Sequence, residues 1–79
     1  MGSLKDLLEF LVSSIVDDPD KIEIEEVVNE EKTVLRLKVA QPDMGKVIGR
    51  QGKTAKALRG LLSAAAAKRG IWFSLDIVD

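Results

Sequence analysis

The amino-acid sequence predicts a small α+β domain in which helices cover one face of a three-stranded sheet. Apolar residues recur every three or four positions near the amino terminus and again after residue 53, as on one face of an amphipathic helix. Three other runs alternate apolar and polar residues, which is typical of strands with one buried face. Elements that are apolar on one side are stable when they pack face to face in two layers.

The first helix is predicted from residue 4 to about residue 15. Ser3 and Asp6 resemble a capping box at its start. The helix should end before Pro19, because a residue that precedes proline is pushed out of helical geometry. Its apolar positions repeat with helical spacing: Leu4, Leu7, Leu8, Leu11, Val12 and Ile15.

Two strands follow and are predicted to form an antiparallel hairpin around a turn at residues 29–32. In the first strand the apolar residues are Ile22, Ile24 and Val28, and in the second they are Leu35, Leu37 and Val39. Val27 breaks the alternation, which predicts a β-bulge at that position.

The remaining elements are delimited by proline and glycine. Pro42 and Gly49 bracket a brief helical turn, and a longer helix is predicted from Lys53 to Arg69, closed by Gly70. The last strand covers residues 71–78, and its predicted inward residues are Ile71, Phe73, Leu75 and Ile77. The predicted order is therefore α-β-β-α-α-β, in one domain over residues 1–79.

Composition excludes several kinds of chemistry. The chain contains no Cys and no His, so thiol nucleophiles, disulfides and zinc fingers are ruled out. No metal site, cofactor or enzymatic activity is predicted, since the carboxylates lie where solvated surface charge is usual. No apolar run approaches the roughly 20 residues that span a bilayer, and the amino terminus lacks a signal-peptide pattern. We therefore expect a cytoplasmic protein without a membrane partner.

Charge is strongly polarised along the chain, although the net charge is only −1. Residues 1–43 hold 11 acids and 5 bases, whereas residues 44–75 hold 7 bases and no acid. A small domain with this distribution can present one basic face, which favours a polyanionic partner.

The loop Gly49-Arg50-Gln51-Gly52 lies inside the basic segment, between two predicted helices. Its glycines allow backbone angles and close approaches that a Cβ would forbid. The next helix begins directly after the loop, and the unpaired N–H groups and positive dipole end of a helix start attract phosphate. The sequence therefore predicts that a nucleic-acid backbone approaches here.

The segment from Val47 to Leu58, VIGRQGKTAKAL, resembles the KH signature: an apolar pair, a GXXG loop and a helix. Two strands precede the loop and one follows it, as in the type II KH fold. Together with Asp17-Asp18-Pro19 after the first helix, these features make the whole chain similar to the KhpA family of small bacterial RNA-binding proteins.

The resemblance implies single-stranded RNA as partner, with the loop holding the backbone of about four nucleotides. It also implies a homodimer, or a heterodimer with a KhpB-like multidomain KH protein, and a role as RNA chaperone or regulator linked to cell elongation and division. The implied RNA-binding residues are Lys46, Val47, Ile48, Gly49, Arg50, Gln51, Gly52, Lys53 and Lys56. Bases are expected between the loop and the edge of the second strand, near Ile48, Leu37 and Val39, although the last two equally suit the core.

A second apolar stripe on the long helix predicts a dimer. Ala55, Leu58, Leu62, Ala65 and Ala66 suit the sheet, whereas nearly opposite them lie Ala57, Gly60, Leu61, Ala64 and Ala67. A glycine inside a helix costs about 1 kcal/mol relative to alanine, which a closely approaching helix would offset. The alternative is that the alanines only favour helix formation. Trp72 is predicted on the outer sheet face, where it shields the sheet, meets a partner or stacks on a base.

Two other functions compete with RNA binding as interpretations of the sequence. Gly52-Lys53-Thr54 ends like a P-loop, but the required glycine five positions earlier is Val47, and 79 residues cannot supply the surrounding parallel sheet. The other rival is a protein–protein adaptor whose basic helix is merely solvated. Seven bases around a glycine loop favour RNA binding over this alternative.

Overall fold

The computed structural model describes residues 3–78 and contains three helices and three strands in the predicted order. The helices are α1 (Leu4–Ser13), α2 (Met44–Ile48) and α3 (Lys53–Arg69). The strands are β1 (Glu23–Val28), β2 (Thr33–Lys38) and β3 (Phe73–Ile77). Single 3₁₀ turns precede β1, α2 and α3. The predicted α+β class and element order are confirmed.

The sheet has the order β1-β2-β3, with β2 in the centre. β1 pairs with β2 in antiparallel fashion, as the predicted hairpin requires, and β2 pairs with β3 in parallel. Parallel neighbours need a long crossover connection. Here the crossover consists of α2, the glycine loop and α3, so the loop is held between two helices that pack on each other and share the core.

One face of the sheet and the inner faces of the helices form the core. Leu35 and Leu37 of β2 are fully buried, as are Val12 of α1 and Leu62 of α3. Ser3 caps α1, because its Oγ accepts a hydrogen bond from the Asp6 amide at 3.1 Å. The predicted inner faces of α1, β2 and α3 are therefore confirmed.

Two details of the strands differ from the prediction. β1 and β2 pair in continuous register from Glu23 with Lys38 to Val28 with Thr33, so there is no bulge at Val27. Val27 instead pairs with Val34 and is 47% exposed, and the apolar alternation has no buried face to follow here because Glu26 and Val28 are exposed as well.

Ile71 is the second difference, since it is 38% exposed and precedes β3 rather than pointing inward from it. Its amide donates to the Ala66 carbonyl at 3.0 Å, and the Gly70 amide donates to Ala67 at 3.1 Å. Gly70 has φ +70°. This is a Schellman motif, so Ile71 belongs to the end of α3 and the strand begins two residues later.

Candidate nucleic-acid interface

α2 fixes the residue at which the glycine loop begins. Met44 and Val47 are buried in the core, and the 3₁₀ turn that contains Pro42 leads directly into the helix. Ile48, on the other side of this short helix, is 40% exposed. Of the predicted apolar pair, Val47 therefore anchors the loop to the core and its side chain lines no groove, whereas Ile48 offers an apolar surface beside the loop.

Three of the four loop residues have positive φ. Gly49, Gln51 and Gly52 have φ values of +78°, +58° and +74°. A non-glycine residue in this left-handed region is uncommon and is often found at functional sites. The loop thus turns sharply between α2 and α3, with Arg50, Gln51 and Lys53 exposed.

Gly49 is required for a second reason, which is close contact with α3. A Cβ at this position would lie 2.6 Å from the Cβ of Thr54 and 2.7 Å from its backbone nitrogen. Neither atom can move without displacing the first turn of α3. At Gly52, by contrast, a Cβ would meet no atom within 4 Å.

The start of α3 carries no side-chain cap, since Gly52 occupies the N-cap position. Its first turn contains no acid. Unpaired backbone N–H groups at a helix start favour anions. The loop and the helix start together form a surface on which a phosphate would meet donors and positive charge.

Four cations lie on or next to this surface, but they are not equivalent. Among residues 3–78, Arg50, Lys53 and Lys56 form no ion pair. Lys46 binds the carboxylate of Asp17 and lies 3.7 Å from that of Asp43. The hydrogen bond to Asp17 raises the pKa of Lys46 above its usual value. The fold therefore brings two acids to the edge of a segment that is free of acid in sequence, and Lys46 is partly neutralised.

Asp43 is a residue whose role sequence reasoning missed. It is only 2% exposed, and its two carboxylate oxygens accept hydrogen bonds from the amides of Asp17 and Asp18 at 3.2 and 3.1 Å. These bonds tie the chain after α1 to the start of α2. No local signal indicated this role, because an Asp at a helix start usually caps its own helix, whereas Asp43 makes no such cap and its partners lie 26 and 25 positions away.

The predicted base groove along β2 is not available as described. β2 is paired on both sides, so it has no free edge. Leu37 and Val39 are buried, which places both in the core. Among the expected apolar residues of the groove, only Ile48 has exposed surface.

The second stripe of α3 is exposed along its whole length, at Ala57, Gly60, Leu61, Ala64 and Ala67. Leu61 is 53% exposed. A Cβ at Gly60 would meet no atom within 4 Å, so nothing in this chain explains a glycine there. The face opposite the core is thus apolar, flat and uncovered.

Two further observations concern other kinds of site. In residues 3–78, no three potential metal ligands of the His, Cys, Asp and Glu type come together. No helix within the same range is long and apolar enough to cross a membrane.

The topology and the GXXG loop define a KH domain of type II. The family model for the KH domain of KhpA and KhpB matches residues 5–77, and the chain belongs to this family.

Relatives named RNA-binding protein KhpA are similar over nearly the whole chain. The protein from Clostridium acetobutylicum is 47% identical over 95% of this chain and 100% of its own length. The protein from Borreliella burgdorferi is 44% identical over 99% of this chain and 95% of its own length. The protein from Aquifex aeolicus is 39% identical over the full length of both chains.

Proposed function

We propose that this chain binds single-stranded RNA by holding its sugar-phosphate backbone against the glycine loop and the first turn of α3. The observation that carries the proposal is the combination of a sharply turned loop, an uncapped helix start and three cations without internal ion pairs. The names of the relatives support RNA as the polyanion.

Each group has a distinct task in this proposal. Amides at the start of α3 that have no carbonyl partner donate to phosphate oxygens, because the glycine backbone permits close approach. The amides of Gly49, Gly52 and Lys53 do not take part, since they already donate to carbonyls of the chain. Arg50, Lys53 and Lys56 supply charge along the strand, and Ile48 offers an apolar contact to one base. Lys46 contributes less, since the carboxylate of Asp17 competes with phosphate for its ammonium group.

Changing Arg50 and Gln51 both to Asp tests the loop. We expect at least about a tenfold loss of affinity for a short single-stranded RNA, measured by fluorescence anisotropy. The reason is that two carboxylates, which repel phosphate, replace the side chains that contact it. The matched control is Lys21→Asp with Asn29→Asp, which changes the net charge by the same amount at exposed positions away from the loop. Equal loss in both variants would mean that only net charge matters and would refute the loop assignment.

Salt dependence gives a second measurement on the same complex. Each phosphate neutralised on a single strand contributes about −0.7 to the slope of log K against log salt concentration. Three engaged cations predict a slope of about −2 for the native chain. Removing Lys56 alone, as Lys56→Met, should make the slope less steep by about 0.7.

We further propose that the protein acts in the cytoplasm as an RNA chaperone or post-transcriptional regulator linked to cell elongation and division. This part rests on family membership alone. Crosslinking the protein to RNA in its native cell and sequencing the bound fragments tests it. Fragments that do not differ from total cellular RNA would contradict a regulatory role.

The uncovered stripe of α3 favours dimerisation as a second activity, either with another copy or with a KhpB-like KH protein. A purely adaptor function without RNA is the alternative, and the experiment on Arg50 and Gln51 distinguishes the two. Leu61→Asp would place a charge in the centre of the proposed contact, and we expect a monomer in sedimentation. Phe10→Asp, at another exposed apolar position, is the control. An unchanged mass for Leu61→Asp would exclude this face.

A further inference from the structure

Within residues 3–78, the most exposed large apolar side chain is that of Trp72, at 79%, and it is not part of the loop. It forms one wall of a groove of about 510 Å³ between the end of α3 and the start of β3. The groove is lined by Ser63, Ala66, Ala67, Gly70, Ile71, Trp72 and Phe73. A groove of this size with an open indole wall can hold a planar apolar group.

The lining of this groove suits a nucleobase. An exposed indole ring stacks on bases of any sequence, and the lining contains no acid that would repel the adjoining phosphate. The acidic turn with Glu30 and Glu31 borders a separate groove that Trp72 also lines. A base would therefore enter from the α3 side of the indole.

Within one copy this groove lies far from the glycine loop. The two are at opposite ends of α3, whose 17 residues span about 25 Å. A loop that addresses about four nucleotides would not extend that far. To reach the groove of its own copy, a strand held by the loop would have to continue along the length of α3, whereas a second copy can place its loop directly beside the groove.

The proposed two-fold contact through α3 would bring the Trp72 groove of one copy close to the glycine loop of the other. The stripe from Ala57 to Ala67 has its midpoint at position 62. In an antiparallel pair centred on this midpoint, positions equally far after it in one copy and before it in the other lie side by side. Arg69 is seven positions after the midpoint and Lys53 is nine before it, so Arg69 of one copy lies near Lys53 of the other. The antiparallel arrangement is favoured because the helix dipoles then oppose each other and the two loops lie at opposite ends, so that like charges meet only where Lys68 and Arg69 approach the partner's Lys56 and Lys53.

The groove and the partner's cations also face the same way. Lys56 and Ser63 are seven residues apart, so they lie on the same side of α3 within about 20°. The two-fold axis that relates side-by-side antiparallel helices is perpendicular to the plane that contains both helices. The Lys56 and Ser63 side of α3 points along this axis, so it faces the same way in both copies. The Ser63 side of one copy and the Lys56 side of the other thus form one continuous surface.

We propose that the dimer has two composite RNA sites, in each of which Trp72 of one copy stacks on a base of the strand that the other copy's loop holds. This inference rests on the proposed RNA binding and the proposed dimer. One RNA strand would cross from the partner's loop and Lys56 to the Trp72 groove. The single-domain chain would thereby read a longer strand than one loop allows.

RNA length provides the test. Trp72→Ala should weaken binding of an eight-nucleotide RNA about five- to one-hundred-fold, as expected for one lost base–indole stack, and leave a four-nucleotide RNA unaffected. Trp72→Phe should restore part of the affinity, whereas Phe10→Ala, at another exposed aromatic, should change neither. Leu61→Asp should remove the advantage of the longer RNA. If Trp72→Ala binds the eight-nucleotide RNA as tightly as the native chain does, the inference is overturned, while the loop proposal remains intact.

Two additional measurements separate the possible occupants of the groove. Trp72 is the only Trp and the chain has no Tyr, so fluorescence reports on this site alone. Quenching by the eight-nucleotide RNA but not by the four-nucleotide RNA is expected. A spectrum that shifts on dimerisation and then ignores RNA would show that the partner's protein fills the groove, which overturns the proposal.

The orientation of the copies is measured by crosslinking. The chain has no Cys, so Gln51→Cys and Trp72→Cys each introduce a unique thiol. Chains of the two variants with different tags, mixed and treated with a short bis-maleimide, should crosslink to each other. Crosslinks only between two Gln51→Cys chains would show parallel packing and would also refute the composite site.

Discussion

Two glycines show how differently the loop and the outer face of α3 are determined. At Gly49 a side chain would collide with Thr54, and the backbone is left-handed. At Gly60 a side chain would meet open space, in the middle of an ordinary helix. The loop is therefore specified by contacts within this chain, whereas the outer face of α3 has no such internal reason for its glycine. The first region is fixed by contacts within one copy, and the second is the surface at which we propose that a partner packs.

The largest expected effect comes from breaking the loop at Gly49. Gly49→Ala should destabilise the fold by about 3 kcal/mol, because it combines backbone strain with a collision against the backbone of α3. Urea unfolding measures this. Gly52→Ala is the comparison, because Gly52 (φ 74°, ψ 12°) lies in the left-handed region that alanine adopts at about 1 kcal/mol and has open space, whereas Gly49 (φ 78°, ψ 172°) lies in a region that only glycine adopts readily. Equal losses would show that neither this backbone region nor the contact with Thr54 matters.

The attachment of α2 gives the next largest effect. Asp43→Asn should cost about 2 kcal/mol, because one of the two accepting oxygens becomes an NH2 group that faces the amide of Asp17 or Asp18 and cannot accept from it, and because the neutral side chain no longer attracts Lys46. Asp20→Asn, at an exposed position, should change the free energy of unfolding by less than about 0.5 kcal/mol. A tolerated Asp43→Asn would mean that α2 is held by its buried apolar residues alone.

Gly60 tests the opposite side of the comparison. In dilute solution Gly60→Ala should stabilise the monomer by about 1 kcal/mol, since alanine favours helix and has room. Sedimentation at high concentration should show weaker self-association, because the added methyl group separates the two helices. A destabilised monomer would show that the chain itself needs this glycine.

The smallest effect concerns Lys46, whose pKa is raised by its hydrogen bond to Asp17. Because the pKa of Lys46 is raised in the folded protein, the stabilisation that its charged form provides is complete below about pH 10.5, the usual lysine pKa. This stabilisation is lost as the pH rises through the higher pKa of the folded state. The stability difference between the native chain and Lys46→Met should therefore be constant from pH 8 to 10 and shrink above that. Lys21→Met, at an exposed position, should show no such trend. A constant difference up to pH 12 would exclude the ion pair as its source.

Local signals predicted most of the fold. Pro42, Gly49 and Gly70 delimit α2 and α3 correctly, because proline and glycine impose backbone angles that depend little on distant contacts. The prediction for Ile71 was wrong because alternation in the sequence does not reveal that the amide of this residue completes the cap of α3.

The parts of the site that could not be predicted depend on contacts between distant segments. Asp17 and Lys46 are 29 positions apart, and only the fold shows that one carboxylate neutralises part of the basic segment. Val47 and Ile48 are adjacent in sequence, yet one is in the core and the other at the surface. The position of β2 in the centre of the sheet likewise removed the expected groove, because strand order is not encoded in any single strand.

The parallel pairing of β2 with β3 also sets an order of assembly. Leu35 pairs with Leu75, so this contact closes a segment of 40 residues, whereas the β1–β2 hairpin closes around a short turn. Long closures are slow relative to local ones. During translation the hairpin can form while α3 is still inside the ribosome, and we expect the loop to acquire its final shape only once residues 73–77 have emerged. A nascent chain would therefore gain affinity for RNA only after β3 has left the ribosome.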